Sequence, residues 1–222
     1  MKTNQEYKNM ALASLKGKWA PAVVATIAFM AIAYVIIGPY TVIAELMTSR
    51  IHVNPILAII SLAIYLLGIP LVLAPLSVGY TYAANRLNVE GDSRLAGNMF
   101  KDGFGSWGRN VWGMFIVGLY ATLWSFLLIV PGIIKFYAYA MTPYILIDNP
   151  ELSANQAINL SKKMMKGHKF DLFILQLSFI GWIFLSIFTL GVGMLWVMPY
   201  MMTAQAAFYQ DIRKEYQSTN NQ

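Results

Sequence analysis

The side chains best suited to chemistry in this 222-residue sequence are few and scattered. There is no Cys, which removes thiol nucleophiles, Cys-type zinc sites and lipid-modified thiols together. The two His, His52 and His168, are far apart in the chain and supply at most two His ligands to one metal. Three acids, Glu45, Asp148 and Asp171, fall near the ends of apolar stretches. Paired carboxylates would permit general acid–base work. In the topology derived below, however, Asp148 and Asp171 lie near the inner face and Glu45 near the outer, so the three cannot converge. Each reads instead as a water-reached interfacial group or a cap, with Asp148-Asn149-Pro150 ending one helix and turning into the next. No catalytic residue, cofactor or metal is expected, and the chain is not read as an enzyme.

The denser pattern is basic. Lys162, Lys163, Lys166, His168 and Lys169 crowd into one short segment, and Lys16 and Lys18 flank Gly17 in a similar way. Cations grouped beside an apolar run suit the phosphates of anionic lipid headgroups, which makes these seven residues the expected headgroup contacts. For His168 a proton-sensing role is the alternative. The net charge of +6 is not read as a nucleic-acid signature, because basic charge on a membrane protein serves orientation and headgroup contact. The expected partners are anionic membrane lipids, with a membrane-protein partner or a second copy of the chain also open.

Composition supplies the frame for that cluster. Hydrophobic residues make up 58% of the chain and charged residues 12%, with a mean hydropathy of +0.54. Soluble domains run at roughly 45–50% apolar and about 25% charged, so the excess must face lipid. The expectation is an all-α polytopic membrane bundle with about six transmembrane helices in three hairpin-like units and short amphipathic interfacial helices. The spans fall at about 20–44, 55–84, 110–129, 132–147, 171–189 and 192–209. Tight turns are expected at Val130-Pro131-Gly132 and Leu190-Gly191. The fourth stretch is short, which keeps a five-helix reading with one re-entrant segment open. The first is longer than a signal-peptide core and has no clear cleavage site, so it reads as a retained anchor. With the N-terminus inside, fourteen of the sixteen Lys and Arg are cytoplasmic, Arg50 and Lys135 being the exceptions. The positive-inside rule then puts both termini in the cytoplasm.

The sequence also echoes itself. Thr3-Asn4-Gln5-Glu6 and Ser153-Ala154-Asn155-Gln156 are capping-box patterns, each followed at the same spacing by Gly17 or Gly167 and then by an apolar stretch. Tyr7, Met10, Ala11, Ser14 and Leu15 share one helical face, as do Ala154, Ala157, Ile158, Ser161 and Met165. Interfacial helices on the inner membrane surface are therefore expected at about 4–16 and 154–166. A weaker copy is expected at about 94–104, where Gly97, Gly103 and Gly105 oppose helix. Within the spans the polar residues are mild, and Ser178 and Gly181 on one face, with Thr203, Ala206 and Ala207 on another, read as small-residue packing surfaces between the last two spans.

Three phrases give a resemblance: Pro131-Gly132-Ile133-Ile134-Lys135 with Tyr137-Ala138-Tyr139, Pro143 to Pro150, and Ser161 to Lys169. They resemble the domain of unknown function 975 family of small bacterial integral membrane proteins, together with Leu177 to Trp182, Leu190 to Gly193, and the ending Pro199-Tyr200 to Tyr209. More loosely, Ser, basic residues, Gly and an aromatic before a span look like the membrane domain of some glycerophosphodiester phosphodiesterases, but no hydrolase domain is present to carry that activity. The resemblance implies the bacterial inner membrane and no substrate. The function expected is a non-enzymatic membrane protein that binds lipid or protein partners at its cytoplasmic face, with a small transporter or lipid translocator as the alternative.

Overall fold

Prolines and apolar run lengths decide where this chain can stay helical. The computed structural model describes residues 2–127 and 129–220, and the regular elements among them are helical. In order they are α1 (Asn4–Leu15), α2 (Trp19–Thr48), α3 (Pro55–Gly68), a π-helical turn (Ile69–Leu73), α4 (Ala74–Val89), α5 (Leu95–Gly105) and α6 (Trp107–Leu127). They continue with α7 (Ile129–Tyr139), α8 (Thr142–Asp148), α9 (Ala154–Met164), α10 (Lys169–Leu177), α11 (Ile180–Phe188) and α12 (Met194–Asn220). Among the described residues, four stretches are long and apolar enough to cross a bilayer: Trp19–Thr48, Pro55–Val89, Val130–Asp148 and Lys169–Phe188. α6 and α12 occupy the places of the expected third and sixth spans.

Several boundaries differ from expectation for local reasons. Val130-Pro131-Gly132 is not a turn but the start of α7, where the missing N–H of Pro131 costs nothing in the first helical turn. The expected fourth span breaks at Ala140–Met141, because Pro143 has no N–H to give and its ring crowds the carbonyl of Tyr139. The expected fifth span breaks at Ser178–Phe179, between α10 and α11. Along Pro55–Val89, Pro75 leaves the Leu71 carbonyl without its helical donor. The Trp107 indole N–H takes that oxygen at 2.8 Å, so the π-turn is stitched to the start of α6. The Leu190-Gly191 turn lies where expected, between α11 and α12.

α5 is a helix despite its three glycines. A Cβ on Gly79 would run into the Met99 carbonyl and come within 2.6 Å of the Gly103 nitrogen. The absence of side chains therefore lets α4 and α5 touch backbone to backbone, and that packing outweighs the roughly 1 kcal/mol a glycine costs in a helix.

The outer faces of these helices stay unsatisfied in water. In the most apolar window of Pro55–Val89 only 6% of residues are buried, and Ile59 and Leu67 are 66% and 59% exposed. Apolar surface on that scale needs lipid against it. The buried core sits instead around α4 and the middle of α12, where Leu76, Tyr80, Leu87, Ala204, Phe208 and Tyr209 meet Leu15 of α1, Tyr144 of α8 and Leu172 of α10.

The two capped helices form as expected, with both halves of each capping box made and Gly17 and Gly167 at φ +75 and +94. Their apolar faces are turned onto protein rather than onto a membrane surface. Tyr7 of α1 meets Phe208 of α12 edge-on at 5.4 Å, and the Ser161 hydroxyl of α9 donates to the Ala138 carbonyl at 2.9 Å. Neighbouring helices claim most of those faces, although Met10 and Leu12 of α1 stay exposed.

Candidate functional site

α12 organises the polar chemistry of the molecule, because consecutive turns of it face a buried network and an open groove. On the buried side, Asp148 ends α8 with its carboxylate only 5% exposed. The Tyr82 hydroxyl donates to Oδ1 at 2.6 Å and the Tyr209 hydroxyl to Oδ2 at 2.5 Å, while Arg213 Nη1 lies 2.7 Å from Oδ2. Asp148 was expected to meet water as a simple helix stop. The structure corrects this: α8 ends beneath α12, and the charge is matched by three donors from α4 and α12. Arg86 extends the cluster, resting over the Tyr82 ring at 5.6 Å and pairing with Asp102 at 3.2 Å. Burial pushes the Asp102 carboxyl up, with Arg86 pulling against it. Arg109 closes the neighbouring loop by donating to the carbonyls of Leu146, Asn149, Pro150 and Leu152. These charges tie together α4, α5, α6, α8 and α12, and a buried charge needs such pairing to be tolerated.

One turn away, α12 forms a groove of about 480 Å³ with the α9–α10 junction, lined by Lys163, Lys166, His168, Glu215, Tyr216 and Thr219 among others. His168 is held between two carboxylates, Nδ1 at 3.5 Å from Asp171 and Nε2 at 3.2 Å from Glu215. That fixes the ring across the gap between α10 and α12. Lys163 and Lys166 are exposed. Beside the Glu215 carboxylate contacted by His168, the groove is lined by the Lys163 and Lys166 side chains, whose ammonium groups can pair with a phosphate-class anion.

The other expected contacts are distributed more widely. Lys162 lies over the Tyr139 ring at 5.5 Å and donates to Asn159 at 3.2 Å. Lys169 lines a separate apolar trough with Ile133, Ile134, Tyr137, Phe170 and Phe173. Lys16 is exposed and Lys18 donates to the Gly91 carbonyl at 2.7 Å, so these two belong to the α1–α2 corner and not to the groove.

That trough also bears on topology. Ile133 and Ile134, expected near the outer face, share it with Lys169 and Phe170, expected near the inner face. Tyr137 holds α7 beside α10, its ring edge-on to Phe173 at 5.9 Å and its hydroxyl donating to Gln176 at 2.8 Å.

The small-residue surfaces divide. Thr203, Ala206 and Ala207 are buried, and the Thr203 carbonyl accepts from Asn88 of α4 at 2.7 Å. Ser178 turns its hydroxyl back to the Leu175 carbonyl at 2.7 Å. Gly181 is exposed, and a Cβ there would meet nothing within 4 Å, so it is not a close-approach point. The pairing of the α10–α11 segment with α12 runs through larger groups, Phe179 edge-on to Tyr200 at 4.9 Å and Gln176 to Gln205 at 3.5 Å.

Sequence reasoning missed the Asp148 network, because Tyr82, Tyr209 and Arg213 are distant in the chain. The available signal was the position of Arg213, where a cation follows closely on an apolar helix.

A family model described as "Protein of unknown function (DUF975)" matches residues 59–216. No curated protein and no solved structure matches the chain.

Proposed function

Because the chain belongs to the DUF975 family, whose function is unknown, we propose a role from the geometry: a non-enzymatic integral membrane protein that binds anionic phospholipid headgroups at its cytoplasmic face. The observation that carries this is the groove of Lys163, Lys166 and His168 against the end of α12. The proposed setting is the inner membrane of a bacterium with both termini in the cytoplasm, supported by the fourteen-to-two split of Lys and Arg. Six crossings in three units of capped helix plus hairpin fit that split. The trough shared by Ile133 and Lys169 instead favours a second hairpin, α6–α7, that turns back on itself. Lys135→Cys distinguishes them, since an impermeant thiol reagent labels it in intact cells only if α6 and α7 both cross.

The headgroup reading is tested in nanodiscs. The protein is expected to melt higher in phosphatidylglycerol than in phosphatidylcholine of the same chains, and the gap is expected to shrink as salt rises. Replacing Lys163 and Lys166 together with Gln should remove most of the gap. An equal melting temperature in the two lipids would overturn the proposal.

A second reading, a small transporter or lipid translocator, draws on one feature. A lateral apolar groove of about 410 Å³ lies between Tyr65, Leu66, Ile69 and Pro70 on one side and Met114, Phe115 and Gly118 on the other. It adjoins the π-turn, a helix irregularity often found at working sites. Saturable flux in proteoliposomes would favour this reading.

A further inference from the structure

We infer that the trough between α7 and α10 holds one molecule of an anionic glycerophospholipid, its acyl chain along the apolar walls and its phosphate at the Lys169 ammonium. The inference rests on the reading of the neighbouring lysine face as the headgroup side of the membrane.

The walls are Ile133, Ile134, Tyr137, Phe170 and Phe173, enclosing about 300 Å³, which is at the lower end of the roughly 300–1,000 Å³ typical of ligand sites. Ile133, Tyr137 and Phe173 also border a second hollow of about 390 Å³ that continues to Ala121, Ser125 and Phe136. The two hollows share these three residues as a common wall, so apolar surface lies on both sides of it. The polar groups on the walls are already spent or self-satisfied: the Tyr137 hydroxyl donates to Gln176 at 2.8 Å, and the Ser125 hydroxyl to the Ala121 carbonyl at 2.8 Å. Such walls favour hydrocarbon over a polar ligand.

The charge at the mouth selects the headgroup. Lys169 lines the trough and is half-buried, as suits a long cationic side chain at an interface, whose stem packs on apolar surface while its ammonium reaches water or phosphate. Lys166 is nearby in the chain and exposed. The adjacent acid, Asp171, is turned to His168 at 3.5 Å. The Lys169 ammonium therefore favours a net anionic headgroup, whereas a zwitterionic one also brings a cation to the same place. A second copy of the chain docked two-fold through this patch would bring Lys166 and Lys169 towards their own counterparts in an apolar seam, which disfavours that occupant.

The test uses the full chain, delipidated in detergent and titrated with phosphatidylglycerol or phosphatidylcholine of identical acyl chains, with bound lipid counted by native mass spectrometry. Wild type should retain one phosphatidylglycerol about tenfold more tightly than phosphatidylcholine. Ile134→Trp fills the trough from a position 46% exposed and should weaken both lipids about tenfold. Lys169→Gln should bring phosphatidylglycerol down to the level of phosphatidylcholine. Phe170→Ala, at an exposed wall position, should weaken both lipids and serves as a second variant if Ile134→Trp lowers the melting temperature. Equal retention of the two lipids by wild type, or unchanged binding in both wall variants, would overturn the inference. If phosphatidylglycerol is lost only when Lys163 and Lys166 are changed, the lipid sits in the groove, so the trough site fails while the headgroup face stands.

Discussion

α1 and α9 occupy matching places in two copies of one pattern: Thr3 corresponds to Ser153, Tyr7 to Ala157, Ala11 to Ser161, Leu15 to Met165 and Gly17 to Gly167. Both helices complete their capping boxes, and these matched inward positions are all buried to 1% exposure or less. Their surroundings nevertheless differ. α1 lies along α12, and its start is tied down by Lys2 and Tyr7, which donate to Asp211 at 2.6 and 2.7 Å. α9 packs against α6, α7 and α8, and its Ser161 hydroxyl both accepts from the Met141 N–H and donates to the Ala138 carbonyl. A cap and a spacing determine that a helix forms and which face turns inward. What that face meets decides which neighbours the helix is bound to.

The largest expected effect separates two charge centres along α12, the buried one at Asp148 and the one at Asp211 that holds α1. Asp148→Ala leaves Arg213 and two tyrosine hydroxyls without their acceptor beneath α12 and should cost about 3–5 kcal/mol. Asp211→Ala, at the partly exposed pair holding α1, should cost under about 1 kcal/mol. Chemical denaturation in detergent gives both values, and similar losses would erase the distinction between the buried and the partly exposed centre.

Ser161→Ala should follow, at about 1–3 kcal/mol, because it strands a buried backbone N–H at Met141. The matched change Ala11→Ser adds a hydroxyl that has no such backbone to serve and should not reproduce that dependence. The caps should give small effects and the most alike, with Thr3→Ala and Ser153→Ala each costing about 1 kcal/mol.

Acid sharpens the contrast further. Burial pushes the Asp211 carboxyl up, but hydrogen bonds from Lys2 and Tyr7 outweigh it and leave it below its ordinary value. A carboxyl lowered on folding contributes stability that is fully present above its unfolded value near 3.9, and that stability is lost as pH falls through the folded value. Protease access to α1 should therefore rise below about pH 4, and Asp211→Asn should abolish that step. A step that persists in Asp211→Asn would assign it to another acid.

The sequence made local events readable and concealed encounters. The capping boxes at Thr3 and Ser153 were legible because both partners lie within one helical turn. The long apolar stretches were legible because solvent choice follows from composition. Of the expected headgroup contacts, Lys163, Lys166 and His168 share a groove, while Lys16 and Lys18 lie at another corner, since like charge in sequence says nothing about which helix ends meet. Asp148 looked like a helix stop because its proline-containing turn is visible locally, whereas its three donors come from α4 and α12. Gly181 looked like a contact because small residues permit close approach, but permission does not supply a neighbour, and Phe179 with Tyr200 makes the pairing instead.

The most direct test of the account is the side of the membrane on which the groove opens. The chain has no Cys, so His52→Cys and Lys166→Cys can each be labelled with a membrane-impermeant maleimide on a silent background. In intact cells, position 52 should label at once and position 166 only after permeabilisation. Labelling of Lys166→Cys from outside would contradict a cytoplasmic, headgroup-facing groove.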